Sequence, residues 1–214
     1  MEFDFESISA NREFIEVIEG FKAYIDEEDT LEAIRKINEA RVLCALNAGK
    51  YGIHNFNNII QNYLKRKGWL DPAGNFYHNQ PIIVTRNDYT LGLFNGDVGL
   101  VRKDENGELK AWFESTDKEG MKVARAVSTG YLPDCKTVFA MTIHKSQGSE
   151  FERVVIVLPD KENLPILTRE LLYTGVTRAK KHALVIGRHE VIEAAVKKNV
   201  SRASGIRQRI EQKK

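Results

Sequence analysis

A parallel α/β sheet with a small antiparallel β module inserted into it is the architecture this sequence predicts, and three observations carry the prediction. Residues 41–46 and 153–158 are each apolar throughout after a leading arginine, the pattern of strands covered on both faces. After the first run, Gly49 and Gly52 break the chain. Ile53, Phe56, Ile59, Ile60, Tyr63 and Leu64 then recur at helical spacing, so 41–67 reads as a strand–loop–helix unit. Further on, Asn95-Gly96-Asp97 and Asn106-Gly107 are turn signals between short strands, which is the grammar of antiparallel pairing.

The elements follow in order. Residues 10–28 place Phe14, Val17, Ile18, Phe21 and Ile25 on one helical face, and a second short helix carries Leu31, Ile34 and Ile37. After the strand–loop–helix unit, 81–85 reads as a strand. Strands at 98–103, 109–114 and 122–127 then form a small antiparallel barrel. From Lys136 the α/β rhythm returns, with strands at 137–143, 153–158 and 182–187 and a helix over 167–179. The expected division is therefore one α/β domain from 1–90 and 137–200, an inserted module at 91–136, and a basic helical tail at 201–214.

Composition excludes several classes. With 42% hydrophobic residues among 214, the chain can build a real core. A formal net charge of +2 excludes a polybasic nucleic-acid binder but leaves room for local basic stripes. Cys44 sits in an apolar run, and it and Cys135 form neither a metal pattern nor a disulfide framework. No acidic cluster has metal-ligand spacing, so the expected metal set is none and a nuclease reading is weak. With no apolar stretch of membrane-spanning length and an acidic amino terminus, the expectation is no membrane and a cytoplasmic setting. Gly49-Lys50 is no phosphate loop, because Tyr51 stands where Ser or Thr is needed. Asp26-Glu27 follows a patch of helical spacing, so it is no magnesium-binding strand end.

Two segments carry chemistry. One is 142–151, Thr-Ile-His-Lys-Ser-Gln-Gly-Ser-Glu-Phe, a polar loop between apolar strands; the other is 173–180, Tyr-Thr-Gly-Val-Thr-Arg-Ala-Lys, late on a helix. In this order and spacing they resemble motifs V and VI of superfamily 1 helicases. The string HKSQGSEF specifically resembles the RecD family, to which the α subunit of exodeoxyribonuclease V belongs. Arg41 to Leu46 with Gly49 and Gly52, and Arg86-Asn87-Asp88 with Leu93 to Gly99, extend the similarity over about residues 8–190.

The resemblance implies a second RecA-like helicase domain of the P-loop NTPase type. Its parallel sheet has helices on both faces, and its insert is an SH3-like β barrel that helps hold the DNA strand. It implies an ATP-driven 5′-to-3′ DNA motor in recombination and repair, using ATP and Mg²⁺ in the full-length protein, with none held by this stretch alone. The implied partners are single-stranded DNA, an amino-terminal helicase half, and RecB- and RecC-like subunits. A stand-alone or relaxase-linked helicase and a non-enzymatic DNA-binding module are the alternatives.

By the same resemblance Arg178 is an arginine finger on the γ-phosphate, Gly148 and Glu150 lie beside the nucleotide, and Thr142 and His144 contact single-stranded DNA. The residue types suit those tasks. A loop glycine lets backbone N–H groups approach a phosphate, a carboxylate can bond a ribose, and arginine offers a rigid cationic fork. Plainer readings stand beside these: His144 as a surface residue, Arg178 as a helix-end charge, and Tyr173 and Val176 as helix packing. Arg41 receives no ligand role, and 95–97 is read as hairpin geometry.

Overall fold

A computed structural model describes residues 11–199. The tail expected at 201–214 lies outside the described residues. Four strands form a parallel sheet: β1 (Ala40–Cys44), β7 (Ala140–Thr142), β8 (Phe151–Val157) and β9 (Ala179–Ile186), in the order β7-β1-β8-β9. Five others form an antiparallel sheet: β2 (Gln80–Val84), β3 (Val98–Lys103), β4 (Leu109–Thr116), β5 (Lys122–Ser128) and β6 (Cys135–Thr137), in the order β5-β4-β3-β2-β6.

Alternation along β1 sorts the core into two layers. Val42 and Cys44 face one side, where they meet α1 (Arg12–Glu19), α2 (Lys22–Ile25), α3 (Thr30–Ile37) and α4 (Ile53–Arg66). Leu43 faces the other side, with Val154 and Ile156, against α5 (Arg169–Val176) and α6 (His189–Lys197). Helices thus cover both faces, which is why the strand runs read as continuously apolar. Each large apolar side chain fully buried this way contributes roughly 1.5–3 kcal/mol. Asn11, Asp29 and Thr168 cap α1, α3 and α5 by accepting from the backbone N–H groups of Phe14, Glu32 and Leu171.

Four expectations are corrected. The helix expected at 10–28 is two helices, with Gly20 as the C-cap of α1. The strand at 80–84, placed in the α/β domain by the division at 90, instead pairs with β3 and β6 in the antiparallel sheet. The strand expected at 137–143 is two strands in different sheets, β6 and β7, joined only by Val138 and Phe139. The antiparallel sheet is also open in its hydrogen bonding: β5 and β6 are its two edges, where a barrel was expected.

Backbone accounting explains how one strand can change sheets. Val138 donates to Pro81 O at 3.0 Å, and its carbonyl accepts from Nη1 of Arg41. Phe139 donates to Oδ1 of Asn57 at 2.8 Å, and its carbonyl accepts from Val42 N at 3.2 Å. No polar group of the crossover is left unpaired. Two buried side chains, Arg41 and Asn57, thus replace the ladder partners that the chain gives up there. A second buried cation, Arg102 of β3, ties the antiparallel sheet to α2 and the turn after it by donating to Tyr24 O at 2.9 Å and to Glu27 O at 2.6 Å, and it also donates to Oδ1 of Asn79 at 2.9 Å.

Candidate nucleotide and nucleic-acid site

The loop from β7 to β8 runs from one edge of the parallel sheet to the other. Thr142 is level with Cys44 and hence with Val157, at the carboxyl edge. Phe151 begins β8 at the amino edge, six residues before Val157, a span of about 20 Å at strand rise. The candidate residues therefore fall into two groups at the loop's two ends: Thr142 and His144 at one, Glu150 and Arg178 at the other.

The carboxyl-edge end is anchored locally. Oγ1 of Thr142, a buried side chain, accepts from Lys145 N at 3.2 Å, and Oγ of the fully buried Ser146 donates to Ile143 O at 2.8 Å. These bonds make a tight turn that leaves His144 and Lys145 exposed. Gly148 then takes φ +87°, a left-handed conformation that costs a side-chain-bearing residue about 1 kcal/mol.

The amino-edge end is organised around Arg178. Its Nη1 donates to Ser149 O at 3.1 Å, its Nε to Thr174 O at 3.1 Å, and its Nη2 to Oγ1 of Thr177 at 3.2 Å. Its own carbonyl accepts from Phe151 N at 2.8 Å, where β8 begins with a register irregularity. The helix-end role is real, since Thr174 O is a carbonyl of the last turn of α5. The same guanidinium also joins the two motifs, because Ser149 lies in the loop. Glu150 is exposed, 3.8 Å from Nζ of Lys180. Gly175 lets α5 sit close on the sheet, because a Cβ there would lie 3.1 Å from Cδ1 of Ile156.

Arg41 lies behind this arrangement. It is 0% exposed, donates to Oδ1 of Asn38 at 2.7 Å, and stacks 5.2 Å over the Phe151 ring. Burial lowers its pKa to about 10, since its hydrogen-bond acceptors are carbonyl and amide oxygens and none is a carboxylate. This geometry gives Arg41 a bracing role that sequence reading did not foresee. The Ser149 carbonyl was also missed, as a backbone acceptor leaves no mark in the sequence. Tyr173 and Val176, expected to pack, are instead exposed, Tyr173 to 71%. Asp26 and Glu27, rejected as a magnesium pair, are engaged by Lys22 and Lys36.

Comparison with known proteins agrees with the motif assignment. Residues 137–186 match the UvrD-like helicase C-terminal domain family. The RecBCD enzyme subunit RecD of Mycolicibacterium smegmatis is 39% identical over 182 residues, covering 85% of this chain and 31% of that protein. The ATP-dependent RecD2 DNA helicase of Deinococcus radiodurans is 28% identical over 173 residues, covering 79% of this chain and 23% of that protein. Among solved structures, the Pif1 helicase from Bacteroides in complex with ADP-AlF3 and ssDNA aligns over 95% of this chain and 54% of that one. Its TM-score is 0.44 and its sequence identity 16%. The chain thus spans about a third of the length of the RecD subunit it matches, and over most of its own length it is homologous to RecD.

Proposed function

We propose, from this homology to RecD, that the chain forms the second motor domain of an ATP-dependent 5′-to-3′ DNA helicase in recombination and repair. In this reading the full-length protein binds ATP and Mg²⁺ between an amino-terminal half and this domain, and works with RecB- and RecC-like subunits. Arg178 reaches the γ-phosphate, Gly148 and Glu150 flank the nucleotide, and Thr142 and His144 hold single-stranded DNA. The antiparallel sheet is the counterpart of the SH3-like module. The higher identity to the RecBCD subunit than to RecD2 favours the complex-forming type over a stand-alone helicase.

The observation that carries the proposal is the single loop spanning the parallel sheet. One of its ends is hydrogen-bonded to Arg178, and its other end presents His144. An element fixed at a phosphate-facing cation and ending at a nucleic-acid contact can convert γ-phosphate loss into a shift of the strand. The test is unwinding by the full-length protein in its complex on partial duplexes with a 5′ or a 3′ overhang. ATP-dependent unwinding from the 5′ overhang is expected. ATP turnover that single-stranded DNA does not stimulate, or entry only from the 3′ overhang, would overturn the reading.

A further inference from the structure

Among the described residues two charged side chains are buried, Arg41 and Arg102, and they are held in different ways. All three side-chain nitrogens of Arg102 donate, to Oδ1 of Asn79 and to the carbonyls of Tyr24, Glu27 and Glu28. Hydrogen bonding alone accounts for its place. Arg41 is less well served. Its Nη1 and Nη2 reach Val138 O, Ile37 O and Oδ1 of Asn38, but its Nε has no partner among the described residues. What fixes its plane is the Phe151 ring, whose centroid lies 5.2 Å from the guanidinium carbon. A buried guanidinium with no carboxylate among its acceptors costs stability relative to an apolar side chain of similar volume. Stability alone does not account for an arginine here.

The same ring sits at a weak point of the parallel sheet. Phe151 pairs with Ala179 and Arg153 with His182, so two steps along β8 match three along β9. The Phe151–Ala179 pair therefore lies beyond an irregularity that interrupts regular pairing. Arg178 directly precedes Ala179, and its carbonyl accepts from Phe151 N at 2.8 Å. Its Nη1 is bonded to Ser149 O, two residues before Phe151. Arg178 thus hangs on the segment 149–151, and that segment needs a brace which the ladder does not supply. The Phe151 side chain is buried, with Arg41 over its ring. Arg41 belongs to β1, the neighbour of β8, and is in regular register with Val154. It carries the order of the sheet past the irregularity. Through Val138 O the same guanidinium holds the crossover to the β module.

We infer that Arg41 is a positioning residue for Arg178. It holds the Phe151 ring in place, and the Phe151 N–H in turn fixes the backbone from which the Arg178 side chain leaves. This rests on the proposed reading that Arg178 meets the γ-phosphate. Arg41 itself, being fully buried, touches no substrate and acts on turnover only through Phe151.

The experiment measures ATP hydrolysis by the full-length protein in its complex at saturating single-stranded DNA, with thermal melting of each variant beside it. Phe151→Leu keeps the backbone bond and most of the buried volume but removes the face on which the guanidinium stacks. It should lower kcat by about tenfold, with KM for ATP within about twofold, since misplacing a charged group acts on the transition state. Arg41→Lys, which keeps the charge and loses the plane, should do the same. In an Arg178→Ala background Phe151→Leu should lower kcat no further, because no guanidinium is left to misplace. Unchanged kcat in Phe151→Leu, with Arg178→Ala inactive, overturns the positioning role and leaves the motor reading standing. So does a further tenfold fall in the Arg178→Ala background, or a raised KM with kcat kept, since either reports a general loosening of the domain. If Arg41→Lys does not fold, Phe151→Leu alone decides. Full turnover in Arg178→Ala overturns both.

Discussion

The two ends of the β7–β8 loop are built differently. At the amino edge of the sheet, Arg178 is fixed by three donated bonds, to Ser149 O, Thr174 O and Oγ1 of Thr177. At the carboxyl edge, the backbone is pinned by Thr142 and Ser146 while the side chains of His144 and Lys145 stand in solvent. The first arrangement suits a cation that must meet charge developing at one point. The second suits contacts to a strand that changes position every cycle. The contrast teaches that the loop is a bar across the sheet with one fixed terminal and one adaptable one.

The largest expected effect breaks the fixed terminal. In the full-length protein, Arg178→Ala should lower kcat for ATP hydrolysis by about 10³–10⁵, while affinity for single-stranded DNA stays within about twofold. Arg178→Lys should restore little, since a point charge cannot form the same fork. A lowered melting temperature with unchanged turnover per folded molecule would reduce Arg178 to a helix-end charge.

Next comes a control that touches neither terminal. Asn57→Leu leaves Phe139 N and Ala140 N without their acceptor, so urea unfolding should show a loss of about 3 kcal/mol. If stability is unchanged, the crossover does not depend on this amide.

The adaptable terminal is probed by His144→Ala. Oligothymidylate affinity should fall about tenfold, the loss of one stacking or phosphate contact, with kcat at saturating DNA nearly unchanged. An equal fall in kcat would mean the two ends are not separable.

The smallest effect concerns the bar itself. Gly148→Ala has open space around its Cβ but a strained φ, so it should cost about 1 kcal/mol in the loop conformation. Expected are modest changes in both kcat and DNA affinity, seen by measuring the two on one preparation. A change confined to one of them would show that the loop does not move as a unit.

What the sequence made legible follows from where the physical signal is local. β1 and β8 announced themselves because covered strands must be apolar throughout, and the strands of the antiparallel sheet because Asn-Gly turns sit between them. The pairing of the two motifs gave the resemblance to RecD. The strand switch at Val138 was not legible. Its causes, Arg41 and Asn57, lie 97 and 82 residues from the groups they satisfy and carry no periodicity. Arg41 received no role from the sequence for the same reason. Tyr173 misled because α5 is short: Leu171, Leu172 and Gly175 are its buried residues, and the remaining face is open.

The split strand also sets the terms on which this protein can be cut and rebuilt. A single eight-residue stretch, Cys135–Thr142, supplies a ribbon to each sheet, so the β module is not a detachable cassette. Excision at 90 and 137 would strip β3 and β6 from β2, exposing the Ile82 and Val84 side of the sheet and leaving Arg41 next to a severed joint. Grafts that keep β2 and β6 in place, and exchange only what lies between them, retain the joint. The turn at Asn106-Gly107 lies between β3 and β4, away from both, and is the natural port for a reporter insertion.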